Sequence, residues 1–179
     1  MNRTEIAILE QVVIDLINEK FKDKIDDGGV EYIQHLWNVA HSVETEGMHR
    51  SNWYDYGTSD SSMFYHKAYI VALLHDIFED TDTTEEELRS IGCDNEIIEA
   101  IKTLTHKKNE KYLDYILRVS ENDMAKIIKI YDLENNMDIT RLKNFGDYEM
   151  KRLKKYWYSY KFLYGDISYT DAYNSLYKS

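Results

Sequence analysis

The segment Ile70-Val-Ala-Leu-Leu-His-Asp-Ile-Phe-Glu-Asp80 runs from a purely apolar stretch into four ionisable side chains. His75 and Glu79 are four apart, as are Asp76 and Asp80, so on a helix each pair lies along one face. Ionised carboxylates at the end of a buried helix are costly unless they are paired or bound to a metal. The segment alone therefore admits two readings: a site that handles protons or a metal, and a structural His–carboxylate network or solvated helix end.

Two further segments are each ambiguous in the same way. In Lys126-Ile-Ile-Lys-Ile-Tyr-Asp-Leu-Glu-Asn-Asn136, Asp132 follows Lys129 by three residues and precedes Asn136 by four, so the three share a helical stripe. Taken alone, Lys129–Asp132 reads as a surface ion pair of small energetic weight. In Tyr32-Ile-Gln-His-Leu-Trp-Asn-Val-Ala40, His35 adjoins an apolar face, where a lone histidine is more often a core residue with satisfied hydrogen bonds than a ligand.

The elements that must carry these residues read as helices. Ile6, Leu9, Val12, Val13, Leu16 and Ile17 recur at helical spacing over about residues 3 to 21, and Asp26-Asp27-Gly28-Gly29 then breaks the chain. A second helix over about 31 to 45 carries His35. The aperiodic stretch Gly47–Ser62 is expected to be a loop or insertion able to act as a lid. Residues 63 to 80 predict a buried helix, apolar nearly all round. Thr83 and Thr84 with Glu86 and Glu87 form capping-box patterns for a short acidic helix that stops near Gly92. Asp94 caps a helix bearing Ile97, Ile98, Ile101 and Leu104, and another holds Tyr112, Leu113, Ile116 and Val119. Asn122 or Asp123 starts the helix of Asp132, expected to reach about 139, and two Tyr-rich helices follow at about 147 to 163 and 168 to 177.

Composition agrees. The 179 residues suit one domain, and the absence of Pro with only 7 Gly favours long helices over strands and turns. The expected fold is an all-α, single-domain helical bundle. A formal net charge of −11 argues against a broad grip on nucleic acid, although a few converging cations can still bind a phosphate. One cysteine, Cys93, permits no internal disulfide and fits a reducing compartment. The N-terminal apolar stretch carries acids and does not read as a signal peptide, and no apolar run reaches membrane-helix length, so the expected location is cytoplasmic with no membrane partner.

Taken in order, an early His, an adjacent His-Asp pair and a distant helical Asp resemble the signature of HD-domain phosphohydrolases. Leu73-Leu-His-Asp-Ile-Phe-Glu-Asp-Thr-Asp-Thr-Thr84 is similar to the L-L-H-D-x-x-E-D-T-x-T segment of the alarmone (ppGpp) hydrolase branch. Lys129-Ile-Tyr-Asp-Leu-Glu-Asn-Asn136 resembles its K-L-A-D-x-x-x-N helix, and the stretch from Asp27 to Ala40 its D-G-x-x-Y-I-x-H opening. Small stand-alone HD phosphohydrolases resemble the intervening residues, so the likeness covers about 20 to 142.

The resemblance implies an HD-domain bundle with His35, His75, Asp76 and Asp132 as metal ligands. It implies Glu79 and Asp80 as the acidic pair that places or activates the attacking water, Asn136 as a pocket residue and Lys129 as a phosphate contact. Lys22, Lys24 and Arg141 are further candidates for offsetting substrate charge. Two imidazoles and two carboxylates suit Mn²⁺ foremost, with Fe²⁺, Zn²⁺ or Mg²⁺ as alternatives. The implied activity is metal-dependent hydrolysis of a small nucleotide, possible substrates being guanosine-3′,5′-bis(diphosphate), cleaved at its 3′-pyrophosphate, and nucleoside monophosphates or dinucleotides. A non-catalytic nucleotide-binding module is the rival from another class.

Departures from the branch are Leu36 in place of a Pro, Asn38 and Leu133 in place of basic residues, and a longer gap between His35 and His75. His41, His49, His66 and His106 read as structural or solvated, and Cys93 as an inert thiol near the surface. The C-terminal Tyr stripe reads as core or interface, a homo-oligomer through it being an open alternative.

Overall fold

The computed structural model describes residues 1–45 and 59–178, without the side chains of 59–62. The segment expected to form a lid thus falls mostly outside the described residues, as does His49. From Ser59 onward that segment is already helix.

Ten α-helices occur among the described residues: α1 (Arg3–Lys20), α2 (Ile33–Thr45), α3 (Ser59–Leu74), α4 (Ile77–Asp80), α5 (Glu85–Ser90), α6 (Asn95–Leu104), α7 (Tyr112–Ser120), α8 (Asp123–Asn136), α9 (Asp147–Tyr164) and α10 (Tyr169–Tyr177). A 3₁₀ turn at Ile139–Arg141 follows α8, and one isolated bridge, Ile25 with Glu31, is the nearest approach to a strand among the described residues. The fold is all-α. No helix among the described residues is long and apolar enough to cross a membrane.

Helix α3 is the hub. Ile70, Val71, Ala72, Leu73 and Leu74 are all fully buried, which five consecutive residues achieve only when a helix is surrounded. It packs against α1, α2, α6 and α8. From α1 it receives Ile6, Leu9, Val13 and Ile17, and from α6 Ile97, Ile98 and Ile101. Caps set the boundaries: the Asn2 side chain accepts from the Thr4 and Glu5 amides, that of Thr84 from Glu87, that of Asp94 from Ile97 and that of Asn122 from Ala125.

Three expectations need correction. The helix predicted over 63 to 80 breaks after Leu74, leaving His75 and Asp76 in the turn before α4. An apolar pattern that suits both halves cannot reveal a one-turn break. Helix α8 stops at Asn136 rather than near 139, because Asp138 caps the 3₁₀ turn instead. Cys93 is buried, only 4% exposed, in the core cluster that also holds Leu88 and Leu9.

The Tyr-rich helices cover the core. Tyr156, Tyr158, Tyr160, Tyr169 and Tyr173 pack partly buried against it, while Tyr148, Tyr164 and Tyr177 stay exposed.

Burial, aided by the Asp94 charge, pushes the Cys93 thiol up to about 12. The native protein should therefore leave Cys93 unmodified by a thiolate-specific reagent at pH 8 and react stoichiometrically once unfolded. Rapid native modification would contradict the packing of α5 and α6 around it.

Candidate metal centre

The break after α3 has a local cause. His75 Nδ1 lies 2.7 Å from the Ala72 carbonyl oxygen, so the imidazole donates to a carbonyl of the last helical turn that has no backbone donor. That bond holds the proton on Nδ1 and leaves the Nε2 lone pair facing inward. His35 is held likewise, its Nδ1 2.7 Å from Asn135 Oδ1. Arg141 fixes the Asn135 amide by donating to both its side-chain and backbone oxygens, and pairs with Asp26 at 2.8 Å. Since Arg141 can only donate, the Asn135 atom it shares with His35 is an acceptor.

Glycine makes that bracing possible. A Cβ on Gly28 would stand 2.3 Å from the Arg141 carbonyl oxygen, so only glycine lets the 26–30 turn lie against the 3₁₀ turn that carries Arg141.

Four donor atoms converge inside this frame. His35 Nε2 is 3.2 Å from His75 Nε2, 3.2 Å from Asp132 Oδ1 and 3.7 Å from Asp76 Oδ2. His75 Nε2 is 3.0 Å from Asp76 Oδ2 and 3.8 Å from Asp132 Oδ1. Ligands about 2.1 Å from a common ion are separated by roughly 3.0–3.5 Å; three of these five distances lie in that range, and the other two, 3.7 and 3.8 Å, are slightly wider. His35, His75 and Asp132 are all buried, each 3% exposed or less, and together could hold a metal ion.

The electrostatics also ask for a cation at the centre. Burial pulls the His75 imidazole down, but Asp76 and Asp132 outweigh it and raise its pKa well above the ordinary value. Burial pushes Asp76 up, and the His75 charge overrides it to about 2. Asp132 is likewise raised by burial and held well below the usual range by Lys129, His35 and His75. Lys129 balances the buried Asp132, which leaves the negative charge of Asp76, 20% exposed, beside the imidazoles for a proton or a divalent ion to balance. The donor set fits an ion that accepts nitrogen and oxygen ligands.

Other expected site residues are placed as follows. Asn136 Nδ2 donates to Asp132 Oδ1 at 2.5 Å. Lys129 Nζ is 2.7 Å from Asp132 Oδ2 and only 14% exposed, so its ammonium holds the back of a carboxylate rather than facing a phosphate. The pair is buried, not the surface pair its spacing suggested. Lys24, Asp80, Asn136 and Arg141 line an open cleft of about 300 Å³ with His35 at its wall. Lys24 and Asp80 are paired at 2.7 Å. Lys22 is exposed and stands outside the cleft lining. Glu79 points the other way from Asp80, its Oε1 accepting from the His106 amide at 2.7 Å.

Three residues escaped sequence reasoning. Tyr32 donates to Asp76 Oδ2 at 2.5 Å, and burial with the Asp76 charge keeps its hydroxyl protonated. Asn135 orients His35. Arg152, from α9, lines the cleft and pairs with Asp27 at 2.8 Å. The spacing of Tyr32 three before His35 was the available signal for the first; nothing local marks the other two.

No family model matches the chain. A curated relative, guanosine-3′,5′-bis(diphosphate) 3′-pyrophosphohydrolase of Aquifex aeolicus (strain VF5), is 26% identical over 152 residues. The chain is similar to a nucleotide hydrolase. The alignment covers 81% of this chain but 19% of the relative, so the chain spans under a fifth of the relative's length.

Arg141→Gln should weaken binding of a divalent metal by less than the roughly 10- to 100-fold typical of losing a group bonded directly to a ligand, because Arg141 reaches His35 only through Asn135. His75→Ala should abolish binding while helical content remains. Chelator competition and circular dichroism measure both; unchanged affinity in Arg141→Gln would remove the Asn135–His35 brace from the account.

Proposed function

We propose that the protein is a metal-dependent phosphohydrolase of the HD type acting on a small nucleotide, with the 3′-pyrophosphate of a guanosine bis(diphosphate) as the leading substrate. The observation that carries the reading is that His35 Nε2 and His75 Nε2 lie within 3.0–3.8 Å of each other and of Asp76 Oδ2 and Asp132 Oδ1. The similarity to a 3′-pyrophosphohydrolase supports the substrate class.

His35 Nε2, His75 Nε2, Asp76 Oδ2 and Asp132 Oδ1 would hold the metal. When bound, such an ion supplies Lewis acidity, acidifying water and polarising a phosphoryl oxygen. Mn²⁺ is the proposed occupant.

Glu79 is the proposed proton acceptor. Desolvation and the Asp76 charge raise its carboxyl above the ordinary glutamate value, against the His106 N–H that favours the ionised form. A raised carboxylate pKa brings the base closer to the operating pH. Water adds to the phosphorus, the bond to the sugar oxygen breaks, and the proton lost by water goes to Glu79 before passing to the leaving alkoxide. Asp80, held by Lys24, orients that water from the cleft side.

The cleft meets phosphate charge with Lys24, Arg141 and Arg152, each already balanced by Asp80, Asp26 or Asp27. A polyphosphate must therefore compete with these carboxylates, which selects for more than one phosphoryl group. This favours a pyrophosphate-bearing nucleotide over a monophosphate. The proposed setting is the cytoplasm.

Purified protein loaded with Mn²⁺ should release pyrophosphate from guanosine-3′,5′-bis(diphosphate). Glu79→Ala should keep the metal and lose roughly 10²–10⁴-fold in rate, the range of general-base contributions. Phosphate release from nucleoside monophosphates alone would replace the substrate assignment, and nucleotide binding without turnover would replace the enzymatic one.

A further inference from the structure

The Glu79 carboxylate is held by a backbone amide in the 105–111 loop between α6 and α7, not by another side chain. A loop amide holds a fixed position only if the loop itself is fixed. One residue does this. Arg118, on α7, sends all three guanidinium nitrogens into the loop and the end of α6. Its Nη1 donates to the Thr103 carbonyl at 2.8 Å and Nη2 to that of Thr105 at 3.1 Å. Nε and Nη2 grip the Glu110 carboxylate side-on at 2.8 and 2.6 Å.

Glu110 passes the constraint on. Its Oε2 accepts from the Lys107 amide at 3.3 Å, and its backbone oxygen lies 2.8 Å from His106 Nε2. His106 is thus held by its ring while its amide meets Glu79. Tyr115, under the Arg118 guanidinium at 5.4 Å, donates to the Leu104 carbonyl at 2.5 Å and closes the end of α6. The planar fork of arginine suits this pattern; a lysine ammonium, a compact point of donors, cannot grip the carboxylate side-on while reaching both carbonyls.

We infer that Arg118 is a positioning residue for Glu79, acting through Glu110 and the His106 amide from outside the metal cleft. The inference rests on Glu79 being the proton acceptor only for its effect on rate, since the structural link stands on the hydrogen bonds alone.

Amide hydrogen exchange and kinetics on the full chain, with Arg118→Met, Glu110→Gln, Arg118→Lys and Glu79→Ala, test this. The His106 amide should exchange faster in Arg118→Met, Glu110→Gln and Glu79→Ala alike, with core amides of α3 still protected and Mn²⁺ affinity unchanged. With guanosine-3′,5′-bis(diphosphate), kcat should fall roughly 10- to 100-fold in Arg118→Met and Glu110→Gln with KM within about twofold, the scale of a misplaced catalytic group. Arg118→Lys should recover part of it, and adding Arg118→Met to Glu79→Ala should slow the enzyme no further. Retained His106 protection in a folded Arg118→Met or Glu110→Gln overturns the inference. A normal rate in Glu79→Ala with His106 protection lost in Arg118→Met overturns the role of Glu79 in hydrolysis and leaves the positioning link intact.

Discussion

Two imidazoles and two carboxylates share one small, largely buried volume, and that charge must be balanced on the spot. Unbalanced, each buried carboxylate would cost several kcal/mol. The surrounding structure is arranged around this constraint. Helix α3 breaks where His75 can donate to Ala72, Tyr32 donates to Asp76, and Lys129 and Asn136 hold both oxygens of Asp132. Each of these bonds fixes the orientation of one side chain of the cluster. The cluster is thereby oriented before anything binds to it.

The rim of the cleft is built on a different principle. Its cations are matched one to one with aspartates, Lys24 with Asp80, Arg141 with Asp26 and Arg152 with Asp27. In a chain of net charge −11 such matching keeps cationic groups beside the cleft without a free basic patch. Those pairs are partly solvated, so each contributes little to stability, and their weight lies in the contest with an incoming anion. Lys129, with its stem buried and its ammonium on Asp132, belongs to the interior set instead.

The two carboxylates that follow the metal cluster face different partners. Asp80 meets Lys24 on the cleft side, whereas Glu79 meets a loop amide supplied by the α6–α7 connection. Both belong to one short helix, α4, whose end is closed by Thr81, its hydroxyl donating to the Ile77 carbonyl at 2.6 Å.

The amino-acid sequence alone determined the helical class, most helix starts and the residues able to act as ligands. Those signals are local: apolar spacing, capping side chains and ionisable groups in apolar context are properties of a few neighbouring residues. Tertiary structure decided the rest. Whether His35, His75, Asp76 and Asp132 meet depends on how α2, α3 and α8 pack, and no spacing within one helix encodes a distance between helices. The break at His75, the burial of Lys129 and Cys93, and the supporting parts of Tyr32, Asn135 and Arg152 all arise from hydrogen bonds or packing across long stretches of chain. His35 to Asn135 spans 100 residues and Arg152 to Asp27 spans 125, which is why neither partner could be read from its neighbours.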